Sequence, residues 1–201
     1  MPLFGGRGRQ GDTPSRPSAG AAGRREARRR AAGYVAERWA EPNEADVLWL
    51  AQAATNGDAD HARWELRYAR RAVGLLAAER DALDDRTPSL VAGAMDEAMA
   101  TDPAVAVDAQ ALAARQFNDR LAAYRDALAA RSAEAPGTRL GRVLLVFAGS
   151  VRAARGSGLV RAGEILTREL DEANAALRTA FGAAELPEDE PPSSLAARAG
   201  R

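Results

Sequence analysis

No cysteine occurs among the 201 residues. That excludes disulfides, thiolate metal sites and cysteine nucleophiles, and leaves the redox compartment open. Lysine is missing too: all 28 basic residues are arginine. An all-arginine complement is the mark of GC-rich bacterial coding before it is a mark of chemistry, so an arginine at a given position is weak evidence that arginine was needed there. One histidine is present, His61. Acid–base or covalent catalysis would therefore fall to carboxylates, tyrosine or serine. There is no Walker loop, no GxGxxG and no Ser-His-Asp arrangement with a second base. Gly156-Ser157-Gly158 is too short for a phosphate cradle and has no lysine after it. No carboxylate stands in a clearly apolar stretch that would raise its pKa. An enzyme is not expected, and neither a cofactor nor a metal is.

Long apolar runs are also scarce. The longest, Val143 to Val151, is flanked by Arg142 and Arg152, and as a helix it would rise only about 14 Å, less than half a bilayer core. No membrane span is expected. The basic N-terminus has no apolar stretch behind it, unlike a secretory signal, so the expectation is a cytoplasmic protein. Net charge is zero, so no global field recruits a polyanion. The charge is nevertheless uneven. Eight arginines face only Asp12 and Glu26 in residues 1–30, whereas Glu185, Glu188, Asp189 and Glu190 cluster near the other end.

What the chain does have is helical patterning. The segment Asp58–Asp85 carries Ala62, Leu66, Ala69, Val73, Leu76, Arg80 and Leu83 at alternating spacings of four and three, the heptad rhythm of a stripe facing a partner helix. A second line, Trp64, Tyr68 and Leu75, widens that stripe to suit a globular bundle. Asp58 or Asp60 is the expected N-cap. Around this central helix the sequence predicts six more. The first covers Arg24–Ala40, with Ala31, Tyr34, Val35, Arg38 and Trp39 as its apolar stripe. Arg24, Arg25, Arg28, Arg29 and Arg30 crowd the positive end of its dipole, so order is expected to begin around Ala31. A second helix runs from Asn43, with Asp46 as a partial capping box, to about Thr55, where Asn56-Gly57 stops it. A fourth spans Pro88–Ala100 behind a Thr87 cap. A fifth, irregular until Asp108, runs to about Arg131.

The sixth, from a Thr138 cap to about Ala154, holds Val143–Ala148, apolar nearly all round, and is expected at the centre of the domain. The seventh has the seam Leu159, Gly163, Leu166, Leu170, Ala173, Leu177, Ala180 and stops at Phe181-Gly182. Gly74, Gly93, Gly141, Gly149 and Gly163 fall inside helical stretches at about 1 kcal/mol each relative to alanine, a cost that close helix–helix approach would justify. The expected fold is all-α, an antiparallel bundle of about four long helices with two or three shorter ones. The expected organisation is a disordered basic arm over 1–23, a bundle domain over 24–182 and a disordered acidic, Pro-rich tail over 183–201.

Two constellations invite a functional reading. Asp58, His61 and Glu65 lie one turn apart, but a di-metal bundle site needs a second Glu-x-x-His that one histidine cannot supply, so His61 is expected as an exposed first-turn residue. Arg63, Arg67 and Arg71, with Arg70 beside them, form a row of like charges that repel by a few tenths of a kcal/mol per pair and call for anions. Those anions are expected within the fold, on Glu169, Asp171 and Glu172 of the seventh helix, before any phosphate. The expected function is that of a non-catalytic helical-bundle interaction or scaffold protein that self-associates or binds another protein. In length, helical content and the basic helix at Arg24–Ala40 the chain also resembles the general plan of TetR-like repressors. That resemblance implies a DNA-binding regulator as the alternative. It is one of size and plan: Leu50-Ala51-Gln52-Ala53-Ala54 leads into Asn56-Gly57 with the glycine displaced from that family's recognition turn, and the helix that follows is longer. A third possibility is an assembly factor that docks a partner through its C-terminal tail.

Overall fold

The computed structural model describes residues 19–150, 152–153 and 156–182; most of the expected arm and all of the expected tail lie outside them. Among the described residues there are seven α-helices and no strand. They are α1 (Ala19–Arg38), α2 (Glu44–Ala53), α3 (Ala59–Asp81), α4 (Arg86–Ala100), α5 (Gln110–Ala129), α6 (Pro136–Phe147) and α7 (Ser157–Phe181). A 3₁₀ turn, Val107–Ala109, leads into α5. The four long helices are α1, α3, α5 and α7, each of 20 residues or more.

The ends of these helices follow from local chemistry. The Asn43 side chain accepts the Ala45 amide at 2.9 Å and opens α2. Asp46 does not complete a capping box: its side chain is buried and drawn across to α7. Beyond α2, Asn56 (φ 56°) and Gly57 (φ 89°) take left-handed backbone, and the Gly57 amide bonds back to the Ala51 carbonyl at 2.8 Å. Asp58 then accepts the His61 amide and starts α3. The central helix ends at Asp81, four residues before the expected stop, because Asp84 takes the amides of Arg86 and Thr87 at 2.8 and 2.7 Å and begins α4 there. Thr87 is therefore a buried first-turn residue and not the cap. Pro88 sits in the same first turn, where a missing amide leaves no bond unmade.

Helix α1 starts at Ala19, earlier than its run of arginines suggests. Glu26 pairs with Arg29 and Arg30 one turn on and relieves part of that repulsion. Helix α6 has Pro136 in its first turn and stops at Phe147, seven residues short of the expected end. There the Ser150 amide turns back to the Leu145 carbonyl, and Gly149 adopts φ 93°.

Helix α3 meets every other helix of the domain. From Arg71 to Ala78 each of its residues is buried, and Ala62, Leu66 and Ala69 extend the same face toward its start. The middle of the core is thus α3 and not α6. On α6 only Leu140, Leu144 and Leu145 are fully buried side chains of size, while Val146 is half exposed and Phe147 is only partly covered. What α6 contributes instead is a close antiparallel crossing with α7. A Cβ on Gly141 would lie 2.6 Å from the Gly163 nitrogen and 2.7 Å from the Ala162 carbonyl carbon, and one on Gly137 would lie 2.8 Å from the Gly163 carbonyl oxygen. Gly74 has a related role on α3, where the Arg38 stem crosses it. Gly93 has no such neighbour.

Candidate functional site

The arginine row singled out in the sequence lies along one side of α3 and is closed by carboxylates from several parts of the chain. Arg63 donates to both carboxylate oxygens of Glu44, at the start of α2, at 3.0 and 2.8 Å, and also reaches Asp60. These bonds raise its already high pKa further. Arg67 donates to Glu41, in the connection between α1 and α2, at 2.6 Å. Arg71 is buried against Asp102 at 2.8 Å, with its guanidinium 3.8 Å over the Trp39 ring. Burial lowers the pKa of Arg71, and Asp102 opposes that pull by charge and by hydrogen bond. Only Arg70 turns toward α7, where Glu169 lies at 3.6 Å and Glu172 at 3.7 Å. The acids expected to serve Arg63, Arg67 and Arg71 thus serve their neighbour Arg70, while the other three take the carboxylates that stand opposite them, Glu44, Glu41 and Asp102.

Across α3 from the partners of Arg70 lies a groove of about 350 Å³ between the first turns of α3, the loop before α5 and the first half of α5. Its floor is ionic. Glu65, almost fully buried, is gripped by Arg120 of α5 through two bonds, one of them 2.8 Å from Nε. His61 Nε2 approaches the same carboxylate at 3.4 Å. Burial pulls the pKa of Arg120 down, and the Glu65 bond and charge more than restore it. Arg120 also lies over the rings of Tyr68 and Phe147, at 4.9 and 4.6 Å. The Tyr68 hydroxyl donates to Gln116 at 3.2 Å, and burial raises its pKa. Trp64 packs on Tyr68, with centroids 5.7 Å apart, and forms an aromatic wall. The rim is apolar: it is formed by Ala104, Val105, Ala106 and Leu112, the last 47 % exposed. Chemically this is an open cleft with an aromatic wall above a charge pair that is already satisfied.

His61 is exposed as expected, and Asp58 is occupied as the α3 cap through its amide. Among the described residues no group of three or more histidine and carboxylate side chains is placed to hold a metal ion.

Two further ionic clusters were not anticipated. Asp46, buried on α2, is held by Arg161 and Arg168 of α7 at 2.9 and 2.5 Å. Arg38 of α1, 4 % exposed, faces Glu169 at 4.0 Å, and its Nε and Nη1 have no hydrogen-bond partner among the described residues. Burial raises the pKa of Glu169, against the opposing pull of Arg70 and Arg38. The signal for such residues was faint: Glu65 adjoins the seam residue Leu66 and Arg120 the apolar Leu121, where a charge must either reach the rim or find a partner. No helix among the described residues is long and apolar enough to cross a membrane. No family model, curated protein or solved structure matches the chain.

Proposed function

We propose that this chain is a non-catalytic helical-bundle interaction protein that associates with a second copy of itself or with another protein. A cytoplasmic location belongs to the same proposal. One observation carries it. The groove beside α3 presents an apolar rim, Val105 and the half-exposed Leu112, over polar groups that already engage one another, Glu65 with Arg120 and Tyr68 with Gln116. Such a surface offers shape and aromatic contact, and the carboxylate on its floor is held by a guanidinium rather than left to take a proton from a substrate.

The test is sedimentation equilibrium at micromolar concentration. The native chain is expected to run well above its 21.2 kDa monomer mass. Val105→Glu combined with Leu112→Glu is expected to return it to the monomer with its helical signal unchanged. Only a monomer in the native sample, with no other protein captured through this face, would end the proposal. The DNA-binding reading keeps one observation in its favour, the exposed arginines at the start of α1. It calls for a salt-dependent shift of duplex DNA that Arg28→Glu with Arg29→Glu abolishes without loss of stability.

A further inference from the structure

The first half of α1 has no part in the core. No residue from Gly20 to Arg30 is buried; the first that is buried is Ala31. This stretch carries Arg24, Arg25, Arg28, Arg29 and Arg30, all exposed, and Glu26 is the one carboxylate within it. Five cations on two turns of helix against one anion form a patch that needs a polyanionic cover.

The path of α7 says where that cover comes from. Glu169 of α7 lies beside Arg38, near the end of α1. Twelve residues later, Phe181 and Gly182 line a groove of about 500 Å³ with Arg30, Gly33 and Tyr34. Helix α7 therefore runs antiparallel to α1 and ends at the border of the basic patch, pointing along it. Gly182, with φ 96°, closes the helix at that point. The next residues in the sequence, which lie outside the described ones, include Glu185, Glu188, Asp189 and Glu190, and the first base after Gly182 is Arg198. From Gly182 to Glu190 an extended chain reaches up to about 27 Å. The helix from Arg30 back to Arg24 spans only about 9 Å.

We propose that the basic face of α1 between Arg24 and Arg30 is a docking surface for an acidic peptide, and that its occupant is the acidic segment 183–190 of the same chain. Charge and direction both favour this occupant, and tethering holds it at an effective concentration on the order of millimolar. An external polyanion would have to displace it.

The absence of cysteine makes a direct test simple. Ser194→Cys in the full chain gives a single site for a nitroxide label, and the ¹⁵N amides of α1 report its approach. At low salt, about 0.02 M, the amides of Arg24–Arg30 are expected to broaden, and at about 0.5 M salt they are expected to recover as the charges are screened. They are also expected to recover at low salt when Glu185, Glu188 and Glu190 become Gln and Asp189 becomes Asn. Absence of broadening at low salt, or broadening indifferent to that neutralisation, overturns the proposal. Broadening that passes only between molecules, in a mixture of labelled ¹⁴N and unlabelled ¹⁵N chains, assigns the surface to a second copy and likewise overturns it. A short DNA duplex serves as a competing polyanion. Neutralising the four acids is expected to tighten its binding by about tenfold or more, since the tethered competitor is gone. Binding of equal strength to both forms would give the surface to nucleic acid.

Discussion

At the scale of single residues, two glycines inside helices have opposite meanings. Gly141 faces the α7 backbone, where a Cβ would come within 2.6 Å of the Gly163 nitrogen. Gly141→Ala must push two helices apart, so it is expected to cost about 1–3 kcal/mol, as overpacking does. Gly93, with nothing within 4 Å, offers open space. Gly93→Ala is expected to stabilise by up to about 1 kcal/mol, the propensity difference between the two residues. Chemical denaturation of both variants decides it; losses at both positions would remove the close-approach account of Gly141. The spacing of these glycines was readable in the sequence, but which of them touched another backbone was not, since that depends on the rotation of each helix about its axis. Glu169 shows the same limit. Its charge placed it beside the Arg row, but its burial depends on Arg38 and α1 closing over it. Because burial holds its pKa above the ordinary 4.5, the folded state keeps the proton to higher pH than the unfolded one. Its contribution to stability is therefore greatest at low pH and falls as the pH rises through the window above about 4.5. Arg70, Glu172, Arg38 and Arg168 face it and set the width of that window. Melting curves of the native protein and Glu169→Gln from pH 4.5 to 7 should show the difference moving in favour of the glutamine variant as the pH rises. A difference that does not change with pH would contradict the burial of this carboxylate.

At the scale of helices, what the sequence conveyed best was periodicity, and what it conveyed least was which apolar helix lies innermost. The seam of α3 from Ala62 to Leu76 is buried as the heptad spacing predicts, while Arg80 and Leu83 at its far end are exposed. Asp84 caps the next helix before the seam can continue. The stretch Val143–Ala148 looked like a centre because every position is apolar. It is instead an outer helix whose inner side is Leu140, Leu144 and Leu145 and whose approach to α7 is made by glycine. An apolar run reports how much surface wants cover, and the number of neighbours depends on the lengths and angles of the others. The two sides of α6 are expected to respond differently to truncation. Leu144→Ala, at a fully buried position, should cost about 2–5 kcal/mol. Phe147→Ala, partly exposed and stacked under Arg120, should cost less, and a larger loss at Phe147 than at Leu144 would reverse the assignment of inner and outer faces.

At the scale of the whole molecule, the arginine row is one of the fastenings that tie distant parts of the chain to α3, and its members are not equivalent. Arg67 meets Glu41 where both are in contact with water, so the pair is expected to be worth about 0.2–1 kcal/mol and to weaken with salt. Arg71 meets Asp102 with both side chains 4 % exposed, joining the middle of α3 to the turn after α4. Removing one partner of such a pair leaves the other charged and dry, and Arg71→Met is expected to cost about 3–5 kcal/mol. The second change, Asp102→Asn, removes the stranded charge. It keeps a side-chain oxygen for the Ala104 amide that Asp102 now accepts at 3.0 Å. A methionine at position 71 also packs well against Trp39, where the guanidinium now stacks. The double variant is therefore expected to recover most of the loss, which means that the pair fixes an arrangement more than it adds stability. Arg67→Ala, Glu41→Ala and their combination form the control cycle, expected to stay within about 1 kcal/mol throughout. Urea unfolding of both sets measures the contrast. If the Arg71 and Arg67 cycles give the same coupling, burial does not govern these pairs, and the row is a surface feature along its whole length.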